Sequence, residues 1–380
     1  RRSRPVSSRA ERGMARPFRL SDRIAVMKLL LIRLCFATAL FTVGTGHIAL
    51  ASKAAVILMY HRFGEGDLPS TNTTIAQLED HIEALKEGGY TVVPLADVVS
   101  ALNGAHSLPP RSVAITVDDA YRSFLTIGWP RLKAAAFPVT LFVATEGVEA
   151  GYSDMMTWDK ILTLQQEGVS IGAHSHGHNH FPSLSAAAVN QDLARMTATF
   201  VRGLGVAPKL FAYPYGEASL ADMTAVRDAG FTAGFGQHSG AVGPLANTFY
   251  LPRFALNEQY GSAKRFRLII ETVPLPVAAI SPADPVLQQN PPTITIEVAD
   301  SLSNLADVTC FGPTGAPLAV DVRANILSLT PMTPFPIGRT RLNCTLQSVD
   351  RITQGRWHWF GWQMIAGFES EGVAVHPRNR

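Results

Sequence analysis

The sequence predicts an α/β chain: a parallel sheet or barrel wrapped by helices, followed by a smaller all-β sandwich. Three observations carry this. Between Ala54 and Leu256, short apolar runs alternate with amphipathic stretches, the pattern of repeated β/α units. The polar groups Tyr60-His61, Asp118-Asp119, His174 to His178 and Tyr213 to Tyr215 each follow one of those runs, where barrel enzymes carry their reactive side chains. From Pro274 the character changes: Pro274, Pro276, Pro282, Pro285, Pro291 and Pro292 crowd a short span, and short β-rich runs come after it.

In order, the expected strands are Val56–Tyr60, Val113–Val117, Val139–Val143, Val169–Ala173, Leu210–Ala212 and Phe231–Phe235. The expected helices include Ile75–Glu87, Arg122–Ala136, Ala186–Leu204 and Leu220–Ala229. Pattern alone does not separate a barrel from a doubly wound sheet. After the prolines come Thr293–Val298, Val308–Phe311, Leu318–Val322, Ile326–Leu329, Arg341–Leu346 and Trp357–Trp362, the spacing of a small antiparallel sandwich. The aromatic run Trp357-His358-Trp359-Phe360-Gly361-Trp362 puts rings on both faces of one strand, which reads as core plus domain interface, with a sugar-stacking platform as the alternative. The expected segments are a leader over 1–51, a catalytic domain over 52–272, a Pro-rich linker over 273–292, a β-sandwich over 293–367 and a tail over 368–380.

The net charge of +3 hides an asymmetry. Ten Lys/Arg lie in residues 1–33 against Glu11 and Asp22, which leaves 23 basic and 28 acidic side chains over 52–380. A mildly acidic body argues against a nucleic-acid partner. From Met27, the expected start, Lys28 and Arg33 precede the apolar stretch Leu34 to Val43, and Ala49-Leu50-Ala51 offers a cleavage site before Ser52. Export to the periplasm or exterior is therefore expected, with membrane contact only through an uncleaved leader. Cys35 lies in that leader, and Cys310 and Cys344 are expected to pair in an oxidising compartment.

The chemistry concentrates in two segments. Adjacent carboxylates at Asp118-Asp119 and imidazoles at His174 and His178, all at strand ends, suit a metal site with a neighbouring base. Asp119, His174 and His178 form a plausible ligand set for zinc or another divalent transition metal. Asp118, diverging from Asp119 at the strand end, is left to accept a proton from the attacking water. His176 and His180 read as bystanders, with His180 a reserve ligand if the loop bends early. Trp158 reads equally as groove wall or core.

Three motifs, Thr116-Val117-Asp118-Asp119, His174-Ser175-His176-Gly177-His178 and Phe211-Ala212-Tyr213-Pro214-Tyr215-Gly216, stand in the order seen in the polysaccharide deacetylases of the NodB homology domain (carbohydrate esterase family 4). The chain resembles that family from Ala54 to Glu271. The resemblance implies a distorted (β/α)7 barrel and removal of N-acetyl groups from an N-acetylglucosamine-containing polysaccharide. It also implies that the Tyr215 backbone N–H helps to stabilise the oxyanion. The family's late Leu-x-His general acid is missing after Arg253. Tyr60-His61 instead matches the permuted branch acting on exported poly-N-acetylglucosamine, so His61 is expected as the general acid. The family's arginine before Pro-Tyr is also missing, Ala212 lying there, and Arg253 is the candidate to hold Asp118. A catalytically degenerate carbohydrate-binding protein is the alternative. An iron oxygenase triad would be expected on an antiparallel scaffold instead.

Overall fold

The computed structural model describes residues 53–299 and 302–367, so the expected leader and tail lie outside the described residues. Parallel strands buried on both faces need apolar residues throughout, and Ala55-Val56-Ile57-Leu58-Met59-Tyr60 supplies them: every position is buried. This strand, β1 (Ala55–Tyr60), begins a parallel series continued by β2 (Ser112–Asp118), β3 (Val139–Val143), β4 (Ser170–Ala173), β5 (Leu210–Ala212) and β6 (Ala233–Phe235).

The series curls back on itself. β7 (Phe254–Ala255) pairs in parallel with Leu58 and Met59 of β1. Just ahead of it, Leu251 bridges Phe235 of β6, with Leu251 N–H donating to the Gly234 carbonyl and Gly236 N–H to the Leu251 carbonyl, both at 2.9 Å. Through the segment 251–255 these pairings link the last strand to the first and curl the sheet into a distorted barrel.

Helices wrap the outside, and their ends are set locally. Ile75–Glu87 starts in a reciprocal capping box between Thr74 and Gln77. Ala186–Leu204 starts on the Ser185 hydroxyl and stops at Gly205, whose φ of 77° a side chain would disfavour. The expected helix Arg122–Ala136 is helical from 122 to 134 but carries a π-helical turn at Phe124–Gly128, ahead of the α-helical Trp129–Ala134. Pro130 carries no N–H for a regular ladder through that junction.

Side chains alternate along each strand, and the two faces part into separate clusters. Val56, Leu58 and Tyr60 join the main core under the helices. Ile57, Ala114, Phe142, Ala212, Phe235 and Leu251 fill the interior, with Leu95 and Val98 of helix Leu95–Leu102 against them. Following the inward parity toward the strand ends gives Thr116, Asp118, His174 and Arg253. The fold thereby delivers the candidate site.

Beyond the barrel, the described residues form a five-stranded sheet and a four-stranded sheet. The Pro-rich stretch contributes an edge to each, Val273–Pro274 and Val277–Ser281. The expected strand Leu318–Val322 divides between the sheets as Pro317–Leu318 and Val320–Arg323. A long hairpin, Gly338–Gln347 with Trp357–Ala366, dominates the larger sheet. Cys310 and Cys344 lie opposite each other in it and form a disulfide. The described residues constitute one compact unit.

Candidate metal centre

Asp118 is the last residue of β2 and is fully buried. Arg253 reaches it across the barrel top, with Nη1 donating to Oδ1 at 2.7 Å and Nη2 to Oδ2 at 2.8 Å. The guanidinium is itself fixed, Nε on the Gly236 carbonyl at 3.0 Å and Nη1 on the Thr116 hydroxyl at 3.1 Å, above the Phe142 ring. Burial pushes the Asp118 carboxyl up, but the charge and hydrogen bonds of Arg253, together with the nearby His174 and His61, outweigh it and hold the group below the ordinary carboxylate range.

Asp119 leaves the strand at φ 76°, a left-handed conformation that turns its side chain away from Asp118. Its Oδ1 lies 3.4 Å from His174 Nε2 and 3.2 Å from His178 Nε2. His174 continues β4, and its Nδ1–H donates to the Ala212 carbonyl at 2.7 Å, which leaves the Nε2 lone pair facing Asp119. The loop does not stay extended after it. Ser175 and His178 take φ of 63° and 51°, and the Ser175 hydroxyl accepts the His178 N–H, which brings His178 back over the site.

Among the described residues, one ligand atom each from Asp119, His174 and His178 lies within 4.8 Å of the others. Asp119 Oδ1 and His174 Nε2 are buried with no hydrogen-bond partner, a costly arrangement for polar atoms unless something else satisfies them. One carboxylate and two imidazoles converging on such a gap fit a divalent transition metal. His178 is the most exposed of the three and leaves a side open to solvent.

The other predicted residues sort clearly. His61 follows β1, is partly buried and shares a cleft of about 740 Å³ with Asp119, His178 and Tyr215. Burial holds its imidazole below the usual range, although the Asp119 and Asp118 carboxylates pull the other way. Tyr215 sits at φ 57°, its ring edge-on to His178 with centroids 4.7 Å apart. His176 turns away, its Nδ1 paired with the Thr145 hydroxyl at 2.8 Å and its backbone held by Asp192. His180 bonds Glu217 at 2.6 Å and stacks on Tyr215, so it is engaged elsewhere than at the ligand cluster. Trp158 packs edge-on against Phe200 in the core.

Sequence reasoning missed three contributors. Arg62, beside His61, is paired with Glu65 and Asp154 and lies over the Tyr121 ring on the cleft wall. Arg339 and Gln363 reach the Tyr215 carbonyl from the C-terminal hairpin. Adjacency to a motif could have flagged Arg62, but no local pattern announces the other two.

Residues 105–234 match the family model described as polysaccharide deacetylase. The Bacillus subtilis protein YxkH is 24% identical over 186 residues, 49% of this chain and 65% of its own length, so the match leaves over a third of that relative uncovered. A Staphylococcus aureus protein (strain N315) named poly-beta-1,6-N-acetyl-D-glucosamine N-deacetylase is 24% identical over 232 residues, 54% of this chain and 80% of its own. Among solved structures, the Streptococcus pyogenes deacetylase PplD in complex with acetate superposes with a TM-score of 0.53 at 19% identity, over 57% of this chain and 98% of that one. IcaB from Ammonifex degensii gives 0.50 at 24% identity, over 56% and 97%. Their likeness to this chain is one of fold.

Proposed function

Because the chain carries a domain of the polysaccharide deacetylase family, we propose that it is a metal-dependent hydrolase removing N-acetyl groups from an N-acetylglucosamine-containing polysaccharide. The observation that carries this reading is the convergence of Asp119, His174 and His178, two of whose ligand atoms are buried without a partner, beside a clamped Asp118. Zinc, or another divalent transition metal, held by those three would polarise the acetyl carbonyl and acidify water.

This chain's own residues supply the rest. Asp118, kept ionised by Arg253, takes the proton of the attacking water. We assign the Tyr215 backbone N–H to the developing oxyanion, the usual device for acyl transfer. His61, on the same cleft, gives a proton to the departing amine. The poly-β-1,6-linked substrate in the name of the Staphylococcus relative supports a poly-N-acetylglucosamine class. The binding-protein alternative leaned on the arginine missing before Pro214. Arg253, just ahead of β7, fills that role, which removes its support.

The region 293–367 reads as a small β-sandwich, and the chain as exported. The Cys310–Cys344 disulfide supports an oxidising compartment.

The test is acetate release from β-1,6- and β-1,4-linked N-acetylglucosamine oligomers, with acetylated xylan as control. Release from the glucosamine oligomers, faster for the β-1,6 linkage, is expected. Release from xylan alone would overturn the substrate assignment.

A further inference from the structure

The barrel's oxyanion loop is held from outside the barrel. Tyr215 and Gly216 both adopt left-handed conformations, at φ 57° and 69°, and that of Tyr215 is disfavoured for a side chain. Something must hold them there. The Gly216 carbonyl accepts from the Tyr250 hydroxyl at 2.8 Å, and Tyr250 packs edge-on against Trp362 of the C-terminal hairpin at 5.3 Å. The Tyr215 carbonyl accepts from Arg339 Nη1 at 2.6 Å and Gln363 Nε2 at 3.4 Å, both from that same hairpin.

The hairpin is in turn locked onto the barrel. Gly361 lies so close that an added Cβ would stand 1.8 Å from the Ser239 carbonyl oxygen. Trp359 packs on Phe254 of β7 at 5.3 Å, and Arg356 donates to the Glu271 and Thr272 carbonyls. A module tethered for sugar capture alone would have no need of hydrogen bonds onto a catalytic loop.

We infer that the C-terminal hairpin completes the active site, with Arg339 and Gln363 as positioning residues that hold Tyr215 in the conformation its N–H needs. The catalytic consequence rests on the deacetylase reading; the positioning does not. A charged donor on the Tyr215 carbonyl opposes rotation of that residue out of its left-handed well. A peptide free to rotate would present the oxyanion donor only part of the time, lowering kcat without weakening substrate or metal binding.

The experiment compares wild type, Arg339→Met, Arg339→Lys and Gln363→Leu in the full chain. Hydrogen exchange over residues 213–217 reads the positioning with no substrate present, and kcat, KM and bound zinc read its consequence. Arg339→Met is expected to raise exchange at Gly216 and Glu217 by about tenfold. It is also expected to lower kcat by about 10- to 100-fold at unchanged KM and zinc content, with Lys recovering part of the loss. Unchanged exchange in both apolar variants overturns the inference. So does a raised KM at wild-type kcat, which makes Arg339 a glycan contact. If wild type releases no acetate, the deacetylase reading fails and the exchange arm alone decides the positioning.

Discussion

Arg253 and Asp118 form a two-pronged ion pair at 2.7 and 2.8 Å across the top of the barrel, although 135 residues separate them in the chain. Both are fully buried, so neither can be removed without leaving its partner's charge in an apolar setting. Arg253→Met should cost about 3–5 kcal/mol of stability by that argument, and should also release the hold on the Asp118 carboxyl. Denaturant unfolding checks it; a midpoint equal to wild type would show the pair to be dispensable.

His81 makes stability depend on pH. It stacks on Phe266 at 3.9 Å between the Tyr60 hydroxyl and the Gly261 carbonyl, and burial pushes its pKa down to about 4 from 6.5. Below 6.5 the unfolded chain takes up a proton that the folded chain refuses. Stability is therefore full above that pH and falls as pH drops toward 4, by up to about 3 kcal/mol. Unfolding midpoints at pH 7 and pH 5 should differ less in His81→Gln than in wild type; equal differences would rule His81 out.

The contact between Gly361 and Ser239 leaves no room for a methyl group. Gly361→Ala should destabilise the protein by roughly 1–3 kcal/mol, the usual range for overpacking, and should slow acetate release by displacing the hairpin. Thermal melting together with the acetate assay tests this. An unshifted melt would mean that the hairpin can recoil freely.

The Cys310–Cys344 disulfide closes a loop of 34 residues between paired strands. In the chain-entropy model such a loop contributes roughly 3–4 kcal/mol. The double Cys→Ala variant should unfold at correspondingly lower denaturant, and added reductant should shift wild type to the same place. Insensitivity of wild type to reductant would contradict the expectation.

Much of this was legible in sequence because it is local. Apolar runs ended where strands end, and Asp118, Asp119, His174 and His178 stood in the order and spacing that strand ends require. The limits of legibility are equally physical. β7 is two residues long and registers only through its pairing with β1, so no period in the sequence marks it. The turn of Ser175 and His178 into left-handed conformations could not be read from residue types that rarely adopt them. Arg339 and Gln363 meet Tyr215 across 124 and 148 residues, contacts that only the assembled fold creates.

The most direct measurement is acetate release from a β-1,6-linked N-acetylglucosamine oligomer by metal-stripped protein, with and without added zinc, for wild type and Asp118→Asn. The account predicts release by wild type that depends on zinc, and its loss in Asp118→Asn at unchanged zinc binding. Release that ignores zinc, or that survives loss of the Asp118 carboxylate, would contradict it.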